Sequence, residues 1–147
     1  MSQPTATSVW IALWRARDAM NRVAQQSMAE VGLGLSDFGV LEVLLHLGPS
    51  SPSVLAEKIG LTSGSTTSAL DRLELRGLLR RDPGDSDRRG RVVSLTGEGR
   101  AVIGPAYEVH AQDIARVMDD ALTPKERTQL FALLRKVQHS AEKELTA

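Results

Sequence analysis

The sequence predicts a mainly α-helical protein with one small β-hairpin, and three observations carry that prediction. Apolar residues recur at helical spacing through most of the 147 residues. Between Gly77 and Thr96 the period changes, and two short runs of apolar and basic residues flank a polar turn. Just before that change, a short helix, a glycine and a second helix with a face of small hydroxyls follow one another closely.

Taken in order, Val9 to Met28 carries Trp10, Leu13, Trp14, Met20, Ala24 and Met28 on one stripe, giving an amphipathic helix of about five turns. Gly32 and Gly34 end it. Ser36 is the expected N-cap of the second helix, with Leu35 stapled against Val40. That helix is apolar most of the way round (Phe38, Val40, Leu41, Val43, Leu44, Leu45, Leu47), so it is expected at the centre of the core. Gly48 and Pro49 stop it. Ser51 and Pro52 form a cap followed by a first-turn proline, opening a third helix of about two turns on Val54, Leu55 and Ile59. After Gly60, Thr62 caps a fourth helix whose core stripe is Ala69, Leu70 and Leu73. Ser63, Ser65, Thr67, Ser68 and Arg72 fall largely on its other side.

Leu78 to Arg81 and Arg91 to Leu95 read as two strands around the turn Pro83 to Gly90. Thr96 caps a fifth helix running toward Leu122, with Glu98 in its first turn and Pro105 expected to kink it. Thr123 to Glu126 is a capping box with proline at the first helical position. It opens a sixth helix with the stripe Leu130, Leu133, Leu134, Val137, Ala141 and Leu145.

Helix, tight turn, hydroxyl-faced helix and hairpin together make a winged helix-turn-helix over residues 36–96. The hairpin explains an uneven charge distribution. The chain balances 18 basic against 18 acidic residues, yet Arg76, Arg80, Arg81, Arg88, Arg89 and Arg91 face only Asp82, Asp85 and Asp87 in the same stretch. Arginines at a wing tip suit the negative potential of a narrow DNA minor groove. Asp87 and Arg89, two apart, project to the same side in extended chain, where the carboxylate can hold the guanidinium outstretched. Ser63, Ser65, Thr67, Ser68, Arg72, Asp87, Arg88, Arg89 and Arg91 are therefore the candidate residues for contact with double-stranded DNA.

Composition excludes several alternatives. With no cysteine there is no disulfide, thiolate metal site or thiol switch. His46, His110 and His139 lie on different helices without metal-ligand spacing, so no metal is expected. No phosphate loop or nucleophile elbow is present, so neither an enzyme nor a cofactor is expected. The chain has no apolar run long enough to span a bilayer and no basic leader, which leads us to expect a soluble cytoplasmic protein without a membrane partner.

Over roughly residues 8 to 145 the sequence resembles the MarR family of bacterial transcription regulators. The resemblance rests on 87-DRRGRVVSLTGEG-99, which looks like that family's wing, and on 61-LTSGSTTSALDRLELRGLLRR-81, which is similar to its recognition helix and first wing strand. It implies one MarR-type domain over residues 1–147, with dimerisation helices at 8–31 and 97–145. It also implies a homodimer on a pseudo-palindromic operator, most often a repressor, that releases DNA when a small aromatic or phenolic ligand binds. Trp10 and Trp14, with His46 and His110 as polar handles, are the candidate ligand residues; as helix-spaced aromatics, the two tryptophans read first as core or dimer interface and second as a ligand box. A winged helix that binds a partner protein and never touches DNA is the alternative, and the arginines of the wing are what argue against it.

Overall fold

The computed structural model describes residues 3–83 and 91–147. Its elements are α1 (Ala6–Ala29), α2 (Leu35–Leu47), α3 (Pro52–Ile59), α4 (Ser63–Leu75), β1 (Leu79–Pro83), β2 (Arg91–Leu95), α5 (Gly97–Ala121) and α6 (Pro124–Thr146). Most starts are dictated locally. Thr5, Ser51, Thr62, Thr96 and Thr123 each accept a backbone N–H of the first turn of the following helix, and Thr123 with Glu126 completes the capping box.

The exception is α2. Its N-cap is Gly34, which offers no side-chain bond, and Ser36 lies inside the first turn, so the expected cap and its Leu35 staple are both displaced. Leu33 supplies the reason. It is buried, its N–H reaches back to the Met28 carbonyl, and Gly32 turns the chain at φ +67° just before it. Burial of a leucine is worth about 2 kcal/mol, more than the roughly 1 kcal/mol of a serine cap, so the helix starts where the buried residue leaves the chain. Pro105 sits on the exposed side of α5, which runs through it as one element.

The strands pair antiparallel from Leu79 opposite Leu95 to Pro83 opposite Arg91. The α2–α3 turn adds an isolated bridge to β2: Ser50 and Val93 exchange both backbone bonds, at 3.0 and 2.8 Å. The hairpin is thus stitched to the helix-turn-helix at a point the sequence pattern does not announce. The core gathers Phe38, Val40, Leu41 and Leu44 of α2 with Leu55, Leu70, Leu73, Leu79, Val93 and Ile103, all essentially inaccessible. The centrality expected of α2 is realised.

Backbone meets backbone at the base of the hairpin. A Cβ on Gly99 would lie 1.8 Å from the Leu78 carbonyl oxygen, so only glycine allows α5 to dock there. The Thr96 hydroxyl, which accepts the Gly99 N–H, donates to the Gly77 carbonyl at 2.6 Å, and the Thr96 N–H donates to Leu78.

At the other extreme, α6 has no buried residue, and on α1 only Ala24, Ser27 and Met28 are buried. Trp10, Trp14, Phe131 and Leu133 are 64%, 59%, 68% and 57% exposed. Among the described residues no helix is long and apolar enough to cross a membrane.

Gly99→Ala is expected to destabilise the fold by at least ~2 kcal/mol, because the methyl meets backbone that cannot rotate away. Gly104→Ala, on the same helix with nothing near its Cβ, is the control and should gain up to ~1 kcal/mol from helix propensity. Urea unfolding of the two variants checks both signs.

Candidate nucleic-acid interface

The start of α4 carries the hydroxyl face. Thr62 accepts the Ser65 N–H at 3.1 Å and its hydroxyl donates to Ser65 Oγ. Thr66 is turned inward, buried, with its hydroxyl on the Thr62 carbonyl at 2.8 Å. Ser63, Ser65, Thr67 and Ser68 are all exposed, and nothing crowds the Cβ position of Gly64 between them. Thr67 is tied to the Ser63 carbonyl at 2.9 Å. Among the described residues no hydrogen bond occupies the hydroxyls of Ser63 or Ser68. Short side chains here let the helix backbone come close to a ligand.

An open cleft of about 370 Å³ lies between the first turns of α3 and α4 and the start of β2. Ser51, Ser53, Ser63, Thr67 and Arg91 line it. Two helix N-termini therefore converge beside an arginine, an arrangement that favours an anion such as a phosphate. Ser51 and Ser53 were legible in the sequence only as cap and first turn. Their place in the cleft follows from how α3 packs against α4.

Arg72, Arg76, Arg80 and Arg81 are engaged within the protein. Arg81, only 17% exposed in its side chain, bridges Asp71 at 2.7 Å and Glu74 at 3.1 Å, pinning β1 to α4. Arg80 pairs with Asp82 at 3.0 Å. Arg76 donates to the Gly32 and Val31 carbonyls at 2.8 and 3.2 Å. Arg72, expected on the outer face of α4, forks onto Asp37, with Nη2 to Oδ1 at 2.7 Å and Nε to Oδ2 at 3.3 Å. That pair raises the guanidinium further above its ordinary range. Among the described residues Arg91 makes no ion pair. Asp87, Arg88 and Arg89 lie outside the described residues.

The four candidate ligand residues are divided. His46 packs edge-on against Tyr107 with ring centroids 4.5 Å apart, and His110 packs likewise against Phe38 at 5.1 Å. Tyr107 and His110 are 6.4 Å apart, so one aromatic cluster links the two histidines. Nδ1 of His110 is buried without a hydrogen-bond partner. His46 also lines a groove of about 370 Å³ between α2 and α3 with Val43, Leu47, Lys58 and Ile59. Trp10 and Trp14 do not line that groove; they stand exposed on the first turns of α1.

Helix-turn-helix and hairpin wing define a winged helix-turn-helix protein. The comparisons narrow this class. A sequence profile of the MarR family matches residues 31–90. The HTH-type transcriptional regulator YkoM of Bacillus subtilis is 33% identical over 122 residues, covering 83% of this chain and 79% of its own. A mutant of MarR from E. coli, in complex with operator DNA, superposes with a TM-score of 0.81 at 26% identity, over 88% of this chain and 92% of that one. BpsR of Bordetella bronchiseptica, whose DNA binding is regulated by 6-hydroxynicotinic acid, superposes at 0.76 with 28% identity, over 88% and 98%. The chain belongs to the MarR family; it is a transcriptional regulator and not an enzyme.

Hydrogen bonds from Arg81 hold the Glu74 carboxyl below its ordinary range. A depressed carboxylate contributes stability that is complete above the unfolded pKa and is lost as pH falls through the folded value. Glu74→Gln should therefore be less stable than the parent above about pH 5, with the difference closing in more acid solution. Because Glu74 is exposed, the effect is modest; thermal unfolding between neutral and acid pH measures it.

Proposed function

We propose that the protein binds double-stranded DNA as a homodimer and acts as a repressor that a small aromatic or phenolic compound releases. The observation that carries the DNA reading is the cleft where the N-termini of α3 and α4, their hydroxyls and Arg91 converge. In this reading the cleft takes a backbone phosphate, which fixes register. Ser63, Ser65, Thr67 and Ser68 present short hydroxyls to base edges in the major groove and supply modest discrimination. Arg88 and Arg89, with Asp87 orienting Arg89, are assigned to the wing contact in the minor groove. The DNA-bound relative of similar fold supports the reading.

Affinity for a random duplex should fall steeply with salt, since each phosphate contact releases counterions. Arg89→Ala is expected to weaken binding to a duplex selected from a random pool by about 1–3 kcal/mol while leaving the fold intact. Repeating the selection with phenols and aromatic acids present should reduce recovery of the same duplexes. Shallow salt dependence with an unaffected Arg89 variant would instead indicate a protein-binding winged helix.

The homodimer reading rests on the uncovered stripes. Val9, Trp10, Ile11 and Trp14 on α1 and Leu130, Phe131, Leu133, Leu134 and Val137 on α6 remain exposed in the single chain. Large apolar side chains left exposed along a helix face mark an interface. A two-fold dimer places its recognition helices on half-sites roughly 34 Å apart, one turn of the duplex. Light scattering at micromolar concentration should return twice the 15.9 kDa chain mass, and Leu134→Glu should shift it toward the monomer. For the ligand, the His46–Tyr107–His110 cluster offers a polar and aromatic wall. A compound bound there acts only through unequal affinity for DNA-competent and incompetent dimers.

A further inference from the structure

We propose that Asp37, Arg72 and Arg76 are positioning residues that set the angle of the DNA-reading helix against α1. The inference rests on the DNA reading above and reassigns Arg72 from contact with DNA to that role. Arg72 in the last turn of α4 and Arg76, its C-cap, are four apart and so lie on one side of the helix end. Both reach back to one place, the connection from α1 into α2. Arg76 holds the carbonyls of Val31 and Gly32, where the chain leaves α1, and Arg72 forks onto Asp37 in the first turn of α2.

The geometry favours positioning over contact with DNA. Asp37 has a side chain only 12% exposed, against 55% for Arg72. Drawing Arg72 to a phosphate would strand a nearly buried carboxylate, a costly exchange. A helix rises ~1.5 Å per residue, so Arg72 lies about 10 Å along α4 from Ser65 and the hydroxyl face. The C-terminal half of α4 is therefore fastened to the end of the first helix, while its N-terminal half is left clear. Fork-shaped guanidinium bonds restrict rotation as well as distance, which a single hydrogen bond does not. Two of the four bonds end on the connection that leaves α1 and two on the first turn of α2, so a displacement of that connection is transmitted to α4.

Asp37→Asn keeps the shape of the carboxylate, Arg76→Gln removes only bonds to two carbonyls, and Arg72→Gln removes the fork. For each, binding is measured to a duplex selected from a random pool and to a random duplex, across a salt series. The expected result is a roughly tenfold lower ratio of selected to random affinity for Asp37→Asn and Arg76→Gln, with the salt slope of all three variants unchanged. Loss of stability alone would lower both affinities together and leave the ratio constant. A salt slope reduced by about one for Arg72→Gln, with an unaffected ratio for Asp37→Asn, would overturn the assignment and make Arg72 a phosphate contact. The chain has no cysteine, so spin labels placed by Gln25→Cys on α1 and Ser68→Cys on α4 report the helix angle without DNA. Their distance distribution should broaden when Asp37→Asn or Arg76→Gln is added; an unchanged distribution refutes the clamp. Should the parent bind no duplex, the DNA reading fails, and this distance measurement alone decides the positioning role.

Discussion

Leu78 and Gly99 approach so closely that no side chain fits between them, and much of the molecule is organised by that contact. Leu78 follows directly from α4 and opens the hairpin; Gly99 lies in the first turn of the long helix α5. Thr96 completes the joint by bonding the Gly77 carbonyl on one side and capping α5 on the other. The end of α4, the hairpin and the long helix α5 are therefore held at one point, and a rotation of α5 is felt at the base of the hairpin. The dense core around Phe38, Leu41 and Leu73 resists local deformation, so such a rotation moves elements as bodies.

Charge is organised on the same principle. Asp71 and Glu74 engage Arg81, Asp82 engages Arg80, and Asp37 engages Arg72. Arginine serves these sites because its planar fork binds two oxygens at once. Exposed pairs of this kind add little to stability; their effect is orientation. Arg91, which makes no ion pair among the described residues, lines the cleft with the first turns of α3 and α4, whose partial positive charge adds to its own.

The distribution of apolar residues completes the division of labour. The middle of the chain encloses its own core, whereas α6 and the start of α1 carry tryptophan, phenylalanine and leucine into solvent. A chain that caps α6 with a full capping box yet buries nothing along it has evident local reasons for the helix and none within one copy for its apolar face. A second copy supplies them in the homodimer we propose.

How much of this was legible beforehand follows from the range of the forces involved. Helix starts at Ser51, Thr62, Thr96 and Thr123, the central apolar α2 and the hairpin between Leu79 and Leu95 depend on residues a few positions apart, and the sequence by itself determined them. The family was legible for a related reason: a wing sequence and a recognition-helix sequence must occur in fixed order and spacing. The start of α2 was decided otherwise, because burial of Leu33 outweighed the cap that Ser36 offered. Only the tertiary structure placed Ser51 and Ser53 beside Arg91, paired Ser50 with Val93, and separated Trp10 and Trp14 from the groove that His46 lines. It likewise turned Arg72 and Arg76 onto partners 35 and 44 residues away. Periodicity assigns a side chain to a face of its helix, but the packing of distant elements decides what that face meets.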